Sequence, residues 1–173
     1  MSKLKHLLLI TLFLQLIPDT YSSPAYPKRI LATLTDSIDA NKEVKQFNKK
    51  ADAIIIIMET AAKSMSAEGV CMIAFIPTTT PERWISQMKV VGKMKTKDAN
   101  LLGIVYTKAS EMADTYKDSG SGVRPLLSGE CGYKGGLIKP YKSGYIIAAF
   151  SGGSNAQDLA ISKIGLSELE KGF

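Results

Sequence analysis

Histidine is all but missing from this sequence: the single one, His6, stands at the very start of 173 residues. The rest of the chain therefore has no imidazole for a Ser–His–Asp triad, a general base or a metal site. It also lacks the commonest haem ligand. Cysteine is scarce, with Cys71 and Cys131 alone, and Trp84 is the only tryptophan. The excess of Lys and Arg over Asp and Glu, a net +6, is spread along the chain. No dense basic patch interleaved with stacking aromatics marks a nucleic-acid partner, and there is no internal repeat.

The first two dozen residues read as an export signal. Lys3 and Lys5 charge the start, Leu7 to Ile17 is apolar apart from Thr11 and Gln15, and Pro18 with Asp19 ends the run. Thr20 and Ser22, or Ser23 and Ala25, then offer small residues at cleavage-type spacing. As a helix the apolar run reaches only about 16 Å, short of a hydrocarbon core of about 30 Å. The expectation is a secreted or periplasmic protein with residues 1–22 removed and no integral membrane segment left. Loss of Lys3, Lys5 and Asp19 takes the 22 basic and 16 acidic residues to 20 and 15, a net charge of +5.

About 150 residues then remain, enough for one domain with one core, and an apolar fraction of 45% supports a packed globule. In an oxidising compartment Cys71 and Cys131 are expected to pair. They would close a loop of about 60 residues, worth roughly 4 kcal/mol in the chain-entropy model. The alternative is two free thiols, and the Cα separation decides between them.

Residues 23–47 read as a polar N-terminal extension, with a short helix from about Thr33 to Val44. Asn48 then caps a helix whose inner face is Ala51, Ile54, Ile55, Met58, Ala61, Ala62 and Met65. Gly69 is its expected C-terminal glycine. Val70 to Ile76 and Arg83 to Val91 read as a hairpin across the Pro77–Pro81 turn. Asp98 caps a helix running to about Lys117, and residues 118–122 are a loop. Two further strands follow, Gly135 onward and Tyr145 to Phe150, joined at Lys142-Ser143-Gly144. A last helix covers Asn155 to about Glu170. Helix, hairpin, helix, hairpin, helix is the order of an α/β chain of α+β type: an antiparallel sheet with helices packed on it.

From Gly135 the stretch GGLIKPYKSGYIIAAFSGGSNAQDLAISKIGLSEL carries a Gly-Gly strand, an apolar strand, Ser151-Gly152-Gly153, and a helix with Asp158 and Gly165. Upstream, Glu68-Gly69-Val70 enters a strand and Lys108-Ala109 lies on a helix. With these features the chain, over residues 48–173, resembles the GlcG/HbpS-like, or haem-degrading domain, family. It departs from the family pattern at Thr78-Thr79-Thr80, where an Asp-Gly-Gly turn is usual. The resemblance implies a central antiparallel sheet of profilin-like appearance, homo-oligomers and, for some members, secretion and haem binding.

Ser151, Gly152, Gly153 and Ser154 stand between an apolar strand and a helix start, where free N–H groups and the positive dipole end suit a carboxylate or a haem propionate. The alternative is a tight turn in which glycine relieves sterics. Lys108, matching the family's helix lysine, would add charge or stay at the surface. Asp158 complements the helix dipole; at about 15 Å from Glu168 by helical rise it forms no paired-carboxylate site. Tyrosine ligates haem iron in some proteins, which makes Tyr133 and Tyr141, flanking the Gly-Gly, the candidates if haem binds; the alternative for each is packing. Ser121 and Cys131 lack a nearby base, so covalent catalysis is not expected. The leading expectation is a secreted, non-catalytic protein binding haem or a small acidic ligand. The alternatives are an enzyme acting on haem or a small acid, and an interaction module with no ligand.

Overall fold

A computed structural model describes residues 26–77 and 83–172. The export segment and the Thr78–Thr80 turn lie outside the described residues. The chain divides into two compact units, residues 1–35 and Asp36–Phe173. Of the first, the backbone of residues 26–35 is described, and it is helical.

Three helices and four strands form: α1 (Tyr26–Ser64), β1 (Gly69–Ile76), β2 (Ile85–Val91), α2 (Leu101–Thr115), β3 (Gly136–Tyr141), β4 (Gly144–Ser151) and α3 (Asn155–Glu170). The class is α+β, with one antiparallel four-stranded sheet in the order β2-β1-β4-β3. The expected alternation of helices and hairpins is present. β1 and β4 are central, Met72 lying between Met88 of β2 and Ala149 of β4. β1 is buried along its length and β4 at every residue but the half-buried Tyr145, which their apolar runs reflect.

Strand alternation sends side chains to two cores. Cys71, Ile73, Phe75, Ile146, Ala148 and Phe150 meet α1 and α3. Val70, Met72, Ala74, Ile76, Ile147 and Ala149 meet α2. The second unit is thus helix pair, sheet, single helix. Side-chain bonds from Arg83 to Asn41, Gln87 to Asp52 and Lys89 to Glu59 hold α1 over β2. α3 lies over β4 and β3, and α2 over β4, β1 and β3.

Several element boundaries differ from the sequence reading. Asn48 is helix interior, not a cap, and the helix is already packed before it, with Ala40, Glu43 and Phe47 buried. Polar turns at 41–46 and 48–50 hid this, because a helix that covers a sheet with one stripe may carry any polar residue on the other. Five of the seven expected inner residues are fully buried, while Ile56 and Ile57 face outward. The left-handed residue after α1 is Ser66, not Gly69; Gly69 opens β1. Asn100, not Asp98, caps α2, its side chain accepting from the Gly103 N–H at 3.0 Å.

Candidate functional site

The Ser-Gly-Gly turn comes directly off β4. Ser151 is buried, the last residue of the strand, and pairs with Val70. Gly152 has φ +137°, a backbone only glycine adopts without strain, and a Cβ there would stand 2.2 Å from the Glu68 carbonyl oxygen. Gly153 has no such constraint; its Cβ would meet mainly the Gln157 side chain. Ser154 is the N-cap of α3 in a capping box with Gln157. The local design is the one the sequence suggests, a strand delivering its chain to a helix start.

What the turn binds is a carboxylate of its own chain. Asp158 Oδ1 accepts from the Gly153 N–H at 2.9 Å, and the Gly152 N–H contributes as well. Asp158 Oδ2 meets Lys108 Nζ at 2.7 Å, and Lys108 also donates to the Phe150 carbonyl at 2.8 Å. Both side chains are buried. Burial pushes the Asp158 carboxyl above its ordinary range; Lys108, Gly153 and Gly152 pull it back without cancelling that effect. Gly135 completes the enclosure, since a Cβ on it would stand 2.6 Å from the Asp158 Cβ and 3.3 Å from Lys108 Nζ. Its carbonyl accepts from Ser162 Oγ at 2.5 Å. The structure therefore gathers Lys108, Gly152, Gly153 and Asp158 at one centre that ties α2, β4 and α3 together.

This arrangement changes the meaning of the expected anion seat. The donors that a ligand carboxylate would use are already engaged by Asp158, and Lys108 is its counter-ion rather than a surface lysine. The tyrosines do not join the centre. Tyr133 is exposed in the loop before β3. Tyr141 ends β3, with Lys142 4.8 Å above its ring, and packs against the α1/α3 core. About 17 Å of strand separates that end of β3 from the end nearer Tyr133. Of the two tyrosines only Tyr133, two residues before Gly135, stands at the centre's end of the strand, and the donors that a propionate would use beside it are taken by Asp158.

The cysteines are both free, correcting the expected disulfide. Cys71 is enclosed in the middle strand under α1, whereas Cys131 is exposed in the loop between α2 and β3. Burial, with Glu59 adding and Lys89 opposing, pushes the Cys71 thiol up to about 12. Alkylation of the native, unreduced protein is expected to label Cys131 alone, and denaturation without reductant to add Cys71. One unlabelled cysteine pair after denaturation would restore the disulfide.

The loop from Tyr116 to Gly135 is held by a clasp that the sequence does not advertise. Arg124 bonds Glu130 through both carboxylate oxygens at 2.8 Å and Asp114 of α2 at 2.6 Å, and the Leu127 N–H donates to Glu130. Arg124, then the Leu127 N–H, draws the Glu130 carboxyl down to about 2. A folded value below the unfolded one of about 4.3 means the clasp contributes fully above that pH and is lost as pH falls through about 2. A carboxyl NMR titration should place the Glu130 midpoint near 2; a midpoint at the ordinary glutamate value would show the clasp open in solution.

A second feature lies on the α2 side of the sheet. Trp84 and Tyr106 approach with ring centroids 6.2 Å apart. With Ser110, Ala113 and Asp114 they line an open cleft of about 200 Å³. On the same face of the sheet Met88 and Val90 of β2 are exposed. Sequence reading missed this face, because alternation in β2 shows which residues share a side but not whether a helix covers it.

Among the described residues no helix is long and apolar enough to cross a membrane, and no cluster of three or more His, Cys, Asp or Glu is placed to hold a metal ion. No family model matches the sequence, and no curated protein matches it.

Proposed function

We propose that this chain is an exported, non-catalytic binding domain that works through its α2 side, and that the Ser-Gly-Gly turn is structural. The observation that carries the reading is the engagement of Lys108, Gly152 and Gly153 by Asp158, which leaves the turn no free charge or donor for a ligand. Exposed Met88, Val90 and Tyr106 on the α2 side offer an apolar surface in its place. Export rests on the order of charge, apolar run and small residues at the start of the chain. A profilin-like arrangement belongs to the same proposal, resting on the alternation of helices and hairpins.

Dye binding tests this reading. The dilute protein is expected to enhance the fluorescence of an anilinonaphthalene sulfonate dye. Met88→Lys and Tyr106→Glu, both exposed positions, should weaken that signal without lowering the thermal midpoint. Unchanged dye binding in both variants would sink it.

A second reading keeps a small planar ligand, haem included, and moves it to the cleft between Trp84 and Tyr106. The aromatic pair favours it, since Trp84 and Tyr106, tilted at 51° with centroids 6.2 Å apart, border the open cleft and leave it ring surface for one-sided stacking. A haem titration followed at the Soret band decides. A saturable shift abolished by Tyr106→Ala would support this reading, and no saturable shift would remove haem.

A further inference from the structure

We infer that the cleft between Trp84 and α2 is a seat for a small protonated amine, the head of a primary alkylammonium group. The inference rests on the reading above, that the α2 side is the binding surface, and it names the class of ligand.

The cleft is built by helical periodicity. Tyr106, Ser110 and Asp114 recur at every fourth residue of α2, so they share one stripe of its surface. Ala113 beside them is too small to fill the space. Trp84, directly before β2, borders it from the sheet. The Trp84 and Tyr106 rings are tilted at 51° with centroids 6.2 Å apart. The open space of about 200 Å³ has room for a charged head and a short alkyl stem rather than for a large molecule. A cation within about 6 Å of an aromatic centroid is drawn to the negative face of the ring.

Charge selects the same sign. None of the five lining residues is basic, although the chain as a whole carries a net +6. Asp114 belongs to a cluster in which two carboxylates share one guanidinium. Two negative charges on Asp114 and Glu130 against one positive on Arg124 leave a net −1. Both bonds from Arg124 to Asp114 land on Oδ2, at 2.9 and 2.6 Å, which leaves Oδ1 open to another donor on a side chain that is 57% exposed. An anion would meet like charge here, a haem propionate included.

Hydrogen bonding narrows the cation to one that donates. The Trp84 indole N–H donates to Ser86 Oγ at 2.9 Å, and the Ser110 hydroxyl to the Thr107 carbonyl at 3.0 Å. The lining thus offers acceptors, Asp114 Oδ1 and the lone pairs of Ser110 Oγ. A primary ammonium brings N–H donors for them, while its stem lies along Ala113 and the rings. A quaternary ammonium would meet the rings and leave the acceptors without donors.

Trp84 is the only tryptophan, so its emission reports on this cleft alone. Titration of the purified protein with n-butylammonium chloride is expected to change that emission saturably, with a dissociation constant of roughly 1 mM for a ligand of this size. Sodium chloride at equal ionic strength and neutral n-butanol should produce no saturable change. Nα-acetyl-lysine amide separates the sources of the amine. Tighter binding than butylammonium assigns the seat to a lysine side chain of a peptide, and weaker binding to a free amine. Asp114→Asn and Tyr106→Leu should each weaken butylammonium binding about threefold or more. Arg124→Gln should tighten it, because the competing guanidinium is gone while every lining residue stays. If Asp114 mattered only through the clasp, both Asp114→Asn and Arg124→Gln would weaken binding, and that result overturns the inference. So does the absence of a saturable change up to roughly 50 mM amine, or a butanol response equal to that of the amine. If the amine has no effect while dye binding still falls in Met88→Lys and Tyr106→Glu, the inference fails and the binding-surface reading stands. Dye binding insensitive to both variants removes that reading and the inference with it.

Discussion

Replacing Lys108 with methionine is expected to lower the unfolding free energy by about 3–5 kcal/mol, the cost of leaving one partner of a buried ion pair without the other. The shape is nearly conserved, so little of the loss comes from packing. Lys108 Nζ touches Asp158 Oδ2 and the Phe150 carbonyl, and both lose their donor. Without the ammonium, Asp158 keeps only the Gly153 and Gly152 N–H groups, and burial drives its carboxyl further up. The loss should therefore be smaller near pH 4 than at pH 7. A carboxyl raised in the folded state binds its proton more tightly folded than unfolded, so its contribution to stability grows as pH falls toward the unfolded value of about 3.9 and fades as pH rises through the folded one. Adding Asp158→Asn should recover part of the loss, since an amide oxygen still accepts from Gly153 while no charge is buried. Denaturant unfolding of the two variants at both pH values measures this. A loss below about 1 kcal/mol in Lys108→Met would place the pair in water.

Gly152→Ala is expected to cost roughly 3 kcal/mol or more, or to prevent folding, while Gly153→Ala costs less, about 1–2 kcal/mol. The neighbours differ in kind. At Gly152 the backbone has φ +137° and the added carbon meets the Glu68 carbonyl at 2.2 Å, in the crossing between the chain entering β1 and the chain leaving β4. Gly69 shows the same crossing from the other side, with Ser151 O 1.9 Å from its would-be Cβ. Neither backbone can yield without breaking the β1–β4 pairing that centres the sheet. At Gly153 the left-handed φ is not required, and the nearest atoms, Gln157 Cβ and Oε1 at 2.9 and 3.1 Å and Asp158 Oδ1 at 3.2 Å, belong to side chains on the first turn of α3, so a small shift of the helix start relieves the contact without touching the strand pairing. Thermal and denaturant midpoints of the two variants measured together test the contrast, and equal losses would refute the backbone crossing.

The order of elements was legible in the sequence because it rests on local physics. Period 3.6 in Ala51–Met58, unbroken apolar runs in β1 and β4, and Gly or Pro at their ends act within a few residues. A capped strand-to-helix turn at Ser154 is equally local. Tertiary structure decided what these pieces meet. Lys108 and Asp158 are 50 residues apart, and nothing in either neighbourhood says that the donors of a glycine turn will be taken by a carboxylate one helical turn later. Cys71 and Cys131 are compatible with a bond by count and compartment; only the sheet order, which puts Cys71 in a middle strand under a helix, keeps them apart. The packing of α1 ahead of Asn48 was not legible because Ala40, Glu43 and Phe47 draw their stability from tertiary contacts rather than from neighbours in sequence. The exposed side of β2 has the same cause. A strand's alternation declares two faces, but whether water, a helix of its own chain or a second molecule covers one of them depends on where distant helices land.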